Sequence, residues 1–90
     1  MSDTRQYTVP SDVLTSHLEG EAVLLHMETK EYFRLNATAA SAWKELERGR
    51  DYQALVDKWC QDFEIDPADA RAELDLLLAE LEKRRLIVPA

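Results

Sequence analysis

One cysteine, two glycines and three prolines are all that a chain of 90 residues contains of these types, and each scarcity removes a class of function. A lone thiol, Cys60, can build neither a disulfide framework nor a thiolate metal cluster. Set among apolar residues at helical spacing, it reads as a small core side chain. With only Gly20 and Gly49, there is no glycine-rich loop to cradle a phosphate. No apolar run approaches the roughly 20 residues of a membrane span, and the start of the chain lacks the basic flank and apolar stretch of a signal peptide. The protein is therefore expected in the cytoplasm and away from membranes. Cationic residues are also few: 11 Lys and Arg stand against 18 Asp and Glu, a formal net charge of −7. That balance repels nucleic acid and anionic lipid alike. The one cationic run, Lys83-Arg84-Arg85, closes an expected helix, where cations suit the negative end of the dipole.

Catalytic constellations are missing as well. His17 and His26 fall on separate expected strands, with no cysteine nearby in sequence and no spacing typical of zinc ligands. The acidic pairs Glu19 with Glu21 and Asp66 with Asp69 read as turn and cap residues, not as an acid and a base. The sequence thus predicts a protein that is not an enzyme and carries no metal and no cofactor.

What is present is a folded composition, 46% apolar and 32% charged, of a size for one core and one domain spanning residues 1–90. Met1 to Gln6 is polar and is expected to fray. Tyr7 to Pro10 reads as a short extended piece, Pro10 forcing its predecessor out of helical space. Val13 to Leu18 predicts a first strand, stopped by Glu19-Gly20, and Glu21 to Met27 a second. Glu28-Thr29-Lys30 is a hairpin turn into a third strand, Tyr32 to Leu35. Asn36 then caps a helix without an intervening loop.

Helices are predicted from about Ala37 to Arg48, from behind Asp51 to near Glu64, and from Asp66-Pro67 to about Arg84. Gly49 takes the left-handed position after the first. Leu86-Ile87-Val88 returns as an extended tail. The fold class is α+β: a three-stranded antiparallel sheet followed by three helices, in the order of a winged helix-turn-helix domain with its strands first. Its recognition helix, however, begins Ala68-Asp69-Ala70-Arg71-Ala72-Glu73-Leu74-Asp75. Reading a major groove needs basic and amide side chains there. Leu76 lies away from the Leu74, Leu77 and Leu81 stripe and shares a face with Ala72, Glu73 and Glu80. Either it is a scattered exposed leucine, or it floors a groove between this helix and the sheet.

The run Leu18 to Leu25, the strand end Tyr32-Phe33-Arg34-Leu35-Asn36, the pair Ala42-Trp43, and Glu73-Leu74 with Leu77 to Leu81 and Leu86-Ile87 together resemble the PqqD family. These small proteins, also called RiPP recognition elements, bind the leader of a ribosomally made precursor peptide and present it to modifying enzymes. The likeness covers about Val9 to Val88. Two places where the family often has Gly carry Lys30 and Arg85 here, and the middle strands look more like the stand-alone members of lasso-peptide clusters than the pyrroloquinoline quinone pathway member.

The resemblance implies that a leader peptide adds as an antiparallel strand beside Glu31, Tyr32, Phe33, Arg34 and Leu35. It would lie in a cleft against Asp69, Ala72, Glu73, Leu76, Leu77 and Glu80. Main-chain hydrogen bonds would hold the peptide and side-chain pockets would select it. The implied partners are that leader and a separate maturation enzyme: a protease, cyclase or radical enzyme. The chain itself would be a monomer or weak dimer. Two other classes remain on the residues alone: a winged-helix DNA-binding regulator, and a structural domain that self-associates through its strand edges.

Overall fold

The structure, a computed structural model, describes residues 3–90. In chain order it contains β1 (Tyr7–Thr8), β2 (Val13–Leu18), β3 (Glu21–His26), β4 (Tyr32–Leu35), α1 (Ala37–Glu47), α2 (Tyr52–Phe63), α3 (Pro67–Lys83) and β5 (Val88–Pro89). The expected α+β order is found, with every long element within two residues of its predicted ends.

Local chemistry sets the boundaries. Gly20 and Gly49 adopt φ of +72° and +75°, the left-handed region that tight turns and helix ends demand. Asn36 accepts from the Ala39 amide at 2.9 Å, Asp51 from Ala54 at 3.0 Å and Asp66 from Ala68 at 3.1 Å. Each helix therefore starts on a side-chain oxygen that satisfies an amide lacking a helical partner. Lys30, Glu64 and Arg85 also have positive φ, at 64°, 52° and 59°, without being glycine. Lys30 and Arg85 are the two places where the resemblance expected one.

The three-stranded sheet is an antiparallel meander in the order β2-β3-β4. Ala22 pairs with Leu35, Leu24 with Phe33 and Val13 with His26. Alternation sends Ala22, Leu24 and Leu35 into the core, where they meet Trp43 and Leu46 of α1, Leu55 of α2, and Leu74 and Leu81 of α3. The helices cover one face of the sheet because a meander of three strands cannot bury its own apolar side. Trp43 donates its indole N–H to Thr15 of β2 at 3.0 Å, and Trp59 of α2 donates to the Thr38 carbonyl in the first turn of α1 at 2.9 Å.

Both ends of the chain differ from expectation. β1 and β5 pair antiparallel as a second, two-stranded sheet, and the Ala90 amide extends the ladder to the Gln6 carbonyl at 2.9 Å. Leu86 and Ile87, just before β5, are buried and anchor the tail. Fraying was predicted for the first six residues. Met1 and Ser2 lie outside the described residues, but Asp3 and Arg5 accept at their carbonyls from Gln53 and Tyr52, where the first amides of α2 need partners. The Arg5 guanidinium stacks 4.0 Å from the Tyr52 ring centre. Polarity alone suggested a loose start, and what holds it is a helix N-terminus distant in sequence.

Candidate functional site

β4 is an edge strand, and its pairing register determines which groups it leaves open. The His26 amide donates to the Glu31 carbonyl at 3.0 Å, so residues 31, 33 and 35 direct their backbone groups toward β3. The N–H and C=O groups of Tyr32 and Arg34 then face outward, where among the described residues no strand pairs with them. Four unpaired backbone groups in a row form a template for one further strand.

Beside the C-terminal end of β4 opens a groove of about 690 Å³. Asn36, Thr38 and Ala39 form one wall, placed there because Asn36 joins strand to helix without a loop. Asp69, Ala72, Glu73 and Leu76, at positions three and four apart on α3, form the other. Trp59, Ile65 and Leu77 lie at the bottom. Trp59 is nearly fully buried, while Leu76 is 71% exposed, an apolar side chain standing on the rim. The rim carries two carboxylates and the floor is apolar, so the groove suits an apolar anchor flanked by a cation or a hydroxyl group.

The other end of the cleft is closed by a residue that sequence reasoning read only as a helix-ending cation. Arg84 places its guanidinium 5.0 Å from the Phe33 ring centre, donates to Glu80 at 2.8 Å and approaches Glu31 at 3.8 Å. It thereby joins the end of α3 to the start of β4 by stacking and charge together.

The eleven predicted site residues thus fall into two clusters and two single positions. Asp69, Ala72, Glu73, Leu76 and Leu77 share the groove. Glu31, Tyr32 and Phe33 line the narrow closed end with Arg84, where one oxygen of Glu80 is engaged by Arg84. Arg34 points away from the helices and pairs with Glu21 at 2.9 Å. Leu35 is a correction: its side chain is buried and its backbone faces β3, so it offers a ligand neither group. Asn36, Thr38, Ala39, Trp59, Ile65 and Arg84 were missed. The Asn36 junction was visible in the sequence and could have placed the first turn of α1 beside the strand edge. Trp59 carries no signal that separates a groove floor from any other core residue.

The two histidines stay apart. His17 contacts Glu47 at 3.1 Å, and His26 accepts from the Glu28 amide. No group of three or more metal-ligating side chains occurs among the described residues, and no helix of the structure is long and apolar enough to cross a membrane.

Comparison with known proteins agrees with this fold. No curated protein matches the chain. Among solved structures, TbiB1 in complex with the TbiA(beta) leader peptide superposes with a TM-score of 0.85 at 30% identity, over 89% of this chain and 93% of that one. Lasso peptide synthetase B1 complexed with the leader peptide gives a TM-score of 0.82 at 22% identity, over 92% of this chain and 98% of the other. Residues 21–87, from the start of β3 through the buried end of the tail, match the family model of coenzyme PQQ synthesis protein D. The chain therefore belongs to the PqqD family.

Proposed function

We propose that this protein is a non-catalytic carrier that binds the leader of a ribosomally synthesised precursor peptide and delivers it to a separate maturation enzyme. The observation that carries this reading is the open backbone of Tyr32 and Arg34 on the β4 edge, set against a groove walled by α3. A peptide added there as an antiparallel strand continues a sheet that is already antiparallel throughout, the more stable pairing per residue. Its side chains facing α3 would enter the groove between Leu76, Ala72 and the first turn of α1. Two relatives were solved as leader-peptide complexes, which supports the same ligand class here. The step is placed in the cytoplasm, where ribosomes release the precursor.

Affinity is expected between micromolar and nanomolar, about −8 to −12 kcal/mol. The test is a calorimetric titration with the synthetic N-terminal half of any short peptide encoded beside this gene. Saturable one-to-one binding, lost when the peptide is scrambled and weakened in Leu76→Arg, is the expected result. Undiminished binding by a folded Leu76→Arg protein would remove the groove from the site.

The DNA-binding reading fares worse. The N-terminal half of α3 presents Asp69, Glu73 and Asp75, and its one arginine, Arg71, leans on Gln53 at 3.4 Å. A duplex placed there meets like charge. Self-association through two β4 edges is separated from a monomer by sedimentation.

A further inference from the structure

A second hollow, of about 430 Å³, lies against a different face of α1 from the groove described above. Thr38 and Ala39 line the groove, whereas Ala37, Ala40, Ser41 and Lys44, three and four positions apart, line the hollow. The turn between β2 and β3 at Gly20 bounds it on one side, and Phe63 at the end of α2 on another. Leu18 and Phe63 stand on its walls exposed to 51% and 38%.

The polar groups of this hollow are unequally satisfied. Each of its carboxylates has a cation: Glu21 takes Arg34 at 2.9 Å, Asp62 takes Lys58 at 3.3 Å, and the buried Glu45 has Arg48 and Arg50 at 3.9 and 3.8 Å. Lys44 makes no ion pair among the described residues, and the Ser41 hydroxyl is buried without a hydrogen-bond partner. The wall therefore offers a cation beside apolar surface. The groove offers the reverse, the carboxylates of Asp69 and Glu73 above an apolar floor.

We propose that this hollow holds the stretch of the same leader that precedes the strand added to β4, with an acidic side chain on Lys44 and an adjacent apolar one between Leu18 and Phe63. The proposal rests on the leader-binding reading above and extends that site past α1. Chain direction selects the occupant. β4 runs from Tyr32 to Leu35, so an antiparallel partner enters at the Leu35 end and leaves at the Tyr32 end. Leu35 pairs with Ala22, and Glu21 and Ala37, just beyond that pair, line the hollow. Residues upstream of the paired strand therefore emerge beside the first turn of α1. A helix is about 10 Å across, so three or four extended residues of about 3.3 Å each carry the leader over that turn.

Opposite charge at the two sites supplies what strand pairing lacks. Backbone hydrogen bonds alone leave a strand free to slip by two residues or to reverse. A leader with an acid upstream and a cation in the groove meets its partners in one register and one direction. Reversed, it sets its acid against Asp69 and Glu73 and its cation against Lys44, so repulsion rejects the wrong arrangement as attraction selects the right one.

The experiment titrates the full chain calorimetrically with the synthetic N-terminal half of a precursor peptide encoded beside this gene, and with the same peptide shortened residue by residue from its N-terminus. Wild type is expected to lose affinity in two steps: roughly 5- to 30-fold as the upstream stretch goes, then all binding once the strand itself is cut. A Lys44→Gln, Phe63→Ala double variant should show only the second step. Both positions are exposed, so folding is kept, and Lys44→Gln alone should shrink the first step by roughly 2- to 5-fold. Lys44→Glu should regain affinity for a peptide whose upstream acid is replaced by lysine. The exposed Lys83 supplies the control, and Lys83→Glu should keep the first step. A single step in wild type, or a first step that survives in the double variant, overturns the proposal alone. A first step lost equally in Lys83→Glu overturns it too, since net charge then accounts for the loss. A wild-type dimer that Phe63→Ala splits in sedimentation assigns the hollow to a second copy and also overturns it. Wild-type protein that binds no peptide refutes the leader-binding reading and the proposal with it.

Discussion

Replacing Lys30 and Arg85 by glycine is expected to make this protein more stable, and the size of the gain follows from two dihedral angles. Their φ values of 64° and 59° lie in the left-handed region, where a residue with a Cβ costs about 1–2 kcal/mol. Glycine removes that cost but loses about 0.5–1 kcal/mol more entropy on folding. The net gain is about 0.5–1 kcal/mol per site, and together the two raise the melting temperature by roughly 5–10 °C for a domain of this size. Both side chains are exposed and neither makes an ion pair or side-chain hydrogen bond among the described residues, so no polar contact is lost to offset the gain. The assay is thermal and urea unfolding followed by circular dichroism, with Lys30→Ala and Arg85→Ala as controls. Alanine keeps the Cβ and is expected to change stability by less than about 0.5 kcal/mol. If alanine stabilises as much as glycine, the gain comes from removing charge, and the backbone argument is wrong.

Three further outcomes follow from exposure and burial. Leu76→Ala should leave the unfolding transition in place, since the side chain is 71% exposed, yet weaken peptide binding by about 5- to 30-fold, the loss of about 1–2 kcal/mol of apolar burial; calorimetry and melting on one sample check both. Leu35→Ala should do the reverse, costing about 2–5 kcal/mol of stability because its side chain is buried, which urea titration reads directly. Burial, with a hydrogen bond to Asp75 at 2.7 Å, pushes the Tyr52 hydroxyl from its ordinary 10.0 up to about 12. Stability should therefore hold up to about pH 10 and fall toward pH 12, where the unfolded chain has lost this proton and the folded one has not. Tyr52→Phe should flatten that alkaline fall in denaturant titrations across the range.

Periodicity and caps carried most of the fold into the sequence. Asn36, Asp51 and Asp66 are short acceptors at the starts of apolar stripes, and Gly20 and Gly49 stand where φ must be positive. These are local rules that a linear reading can apply. The β1–β5 sheet was not legible, because two-residue strands from opposite ends of the chain have no period to detect, and their pairing follows the burial of Leu86 and Ile87. The groove was half legible. Leu76 falls out of register with its own helix stripe, and that single misfit marked the α3 wall. The opposite wall needs the position of the first turn of α1 in space. Arg84 was read by its place at a helix end, and its bridge to Phe33 and Glu31 depends on where the strand lies.

The division between backbone and side chains in this cleft sets what kind of selectivity it can have. In the proposed complex the open groups of Tyr32 and Arg34 would accept any extended chain without proline at the pairing positions, contributing hold without sequence. On that proposal, selectivity would be left to the groove, about 690 Å³ between Leu76, Ala72 and Thr38, and to the carboxylates of Asp69 and Glu73 on its rim. One or two apolar anchors there discriminate by only about 1–3 kcal/mol per missing methylene or misplaced group. A carrier of this design tolerates change in most of its ligand and insists on a few positions. The cleft is open at the Asn36 end and latched by Arg84 at the Glu31 end, so the demanding positions belong to the part of the peptide that lies over α3's first three turns.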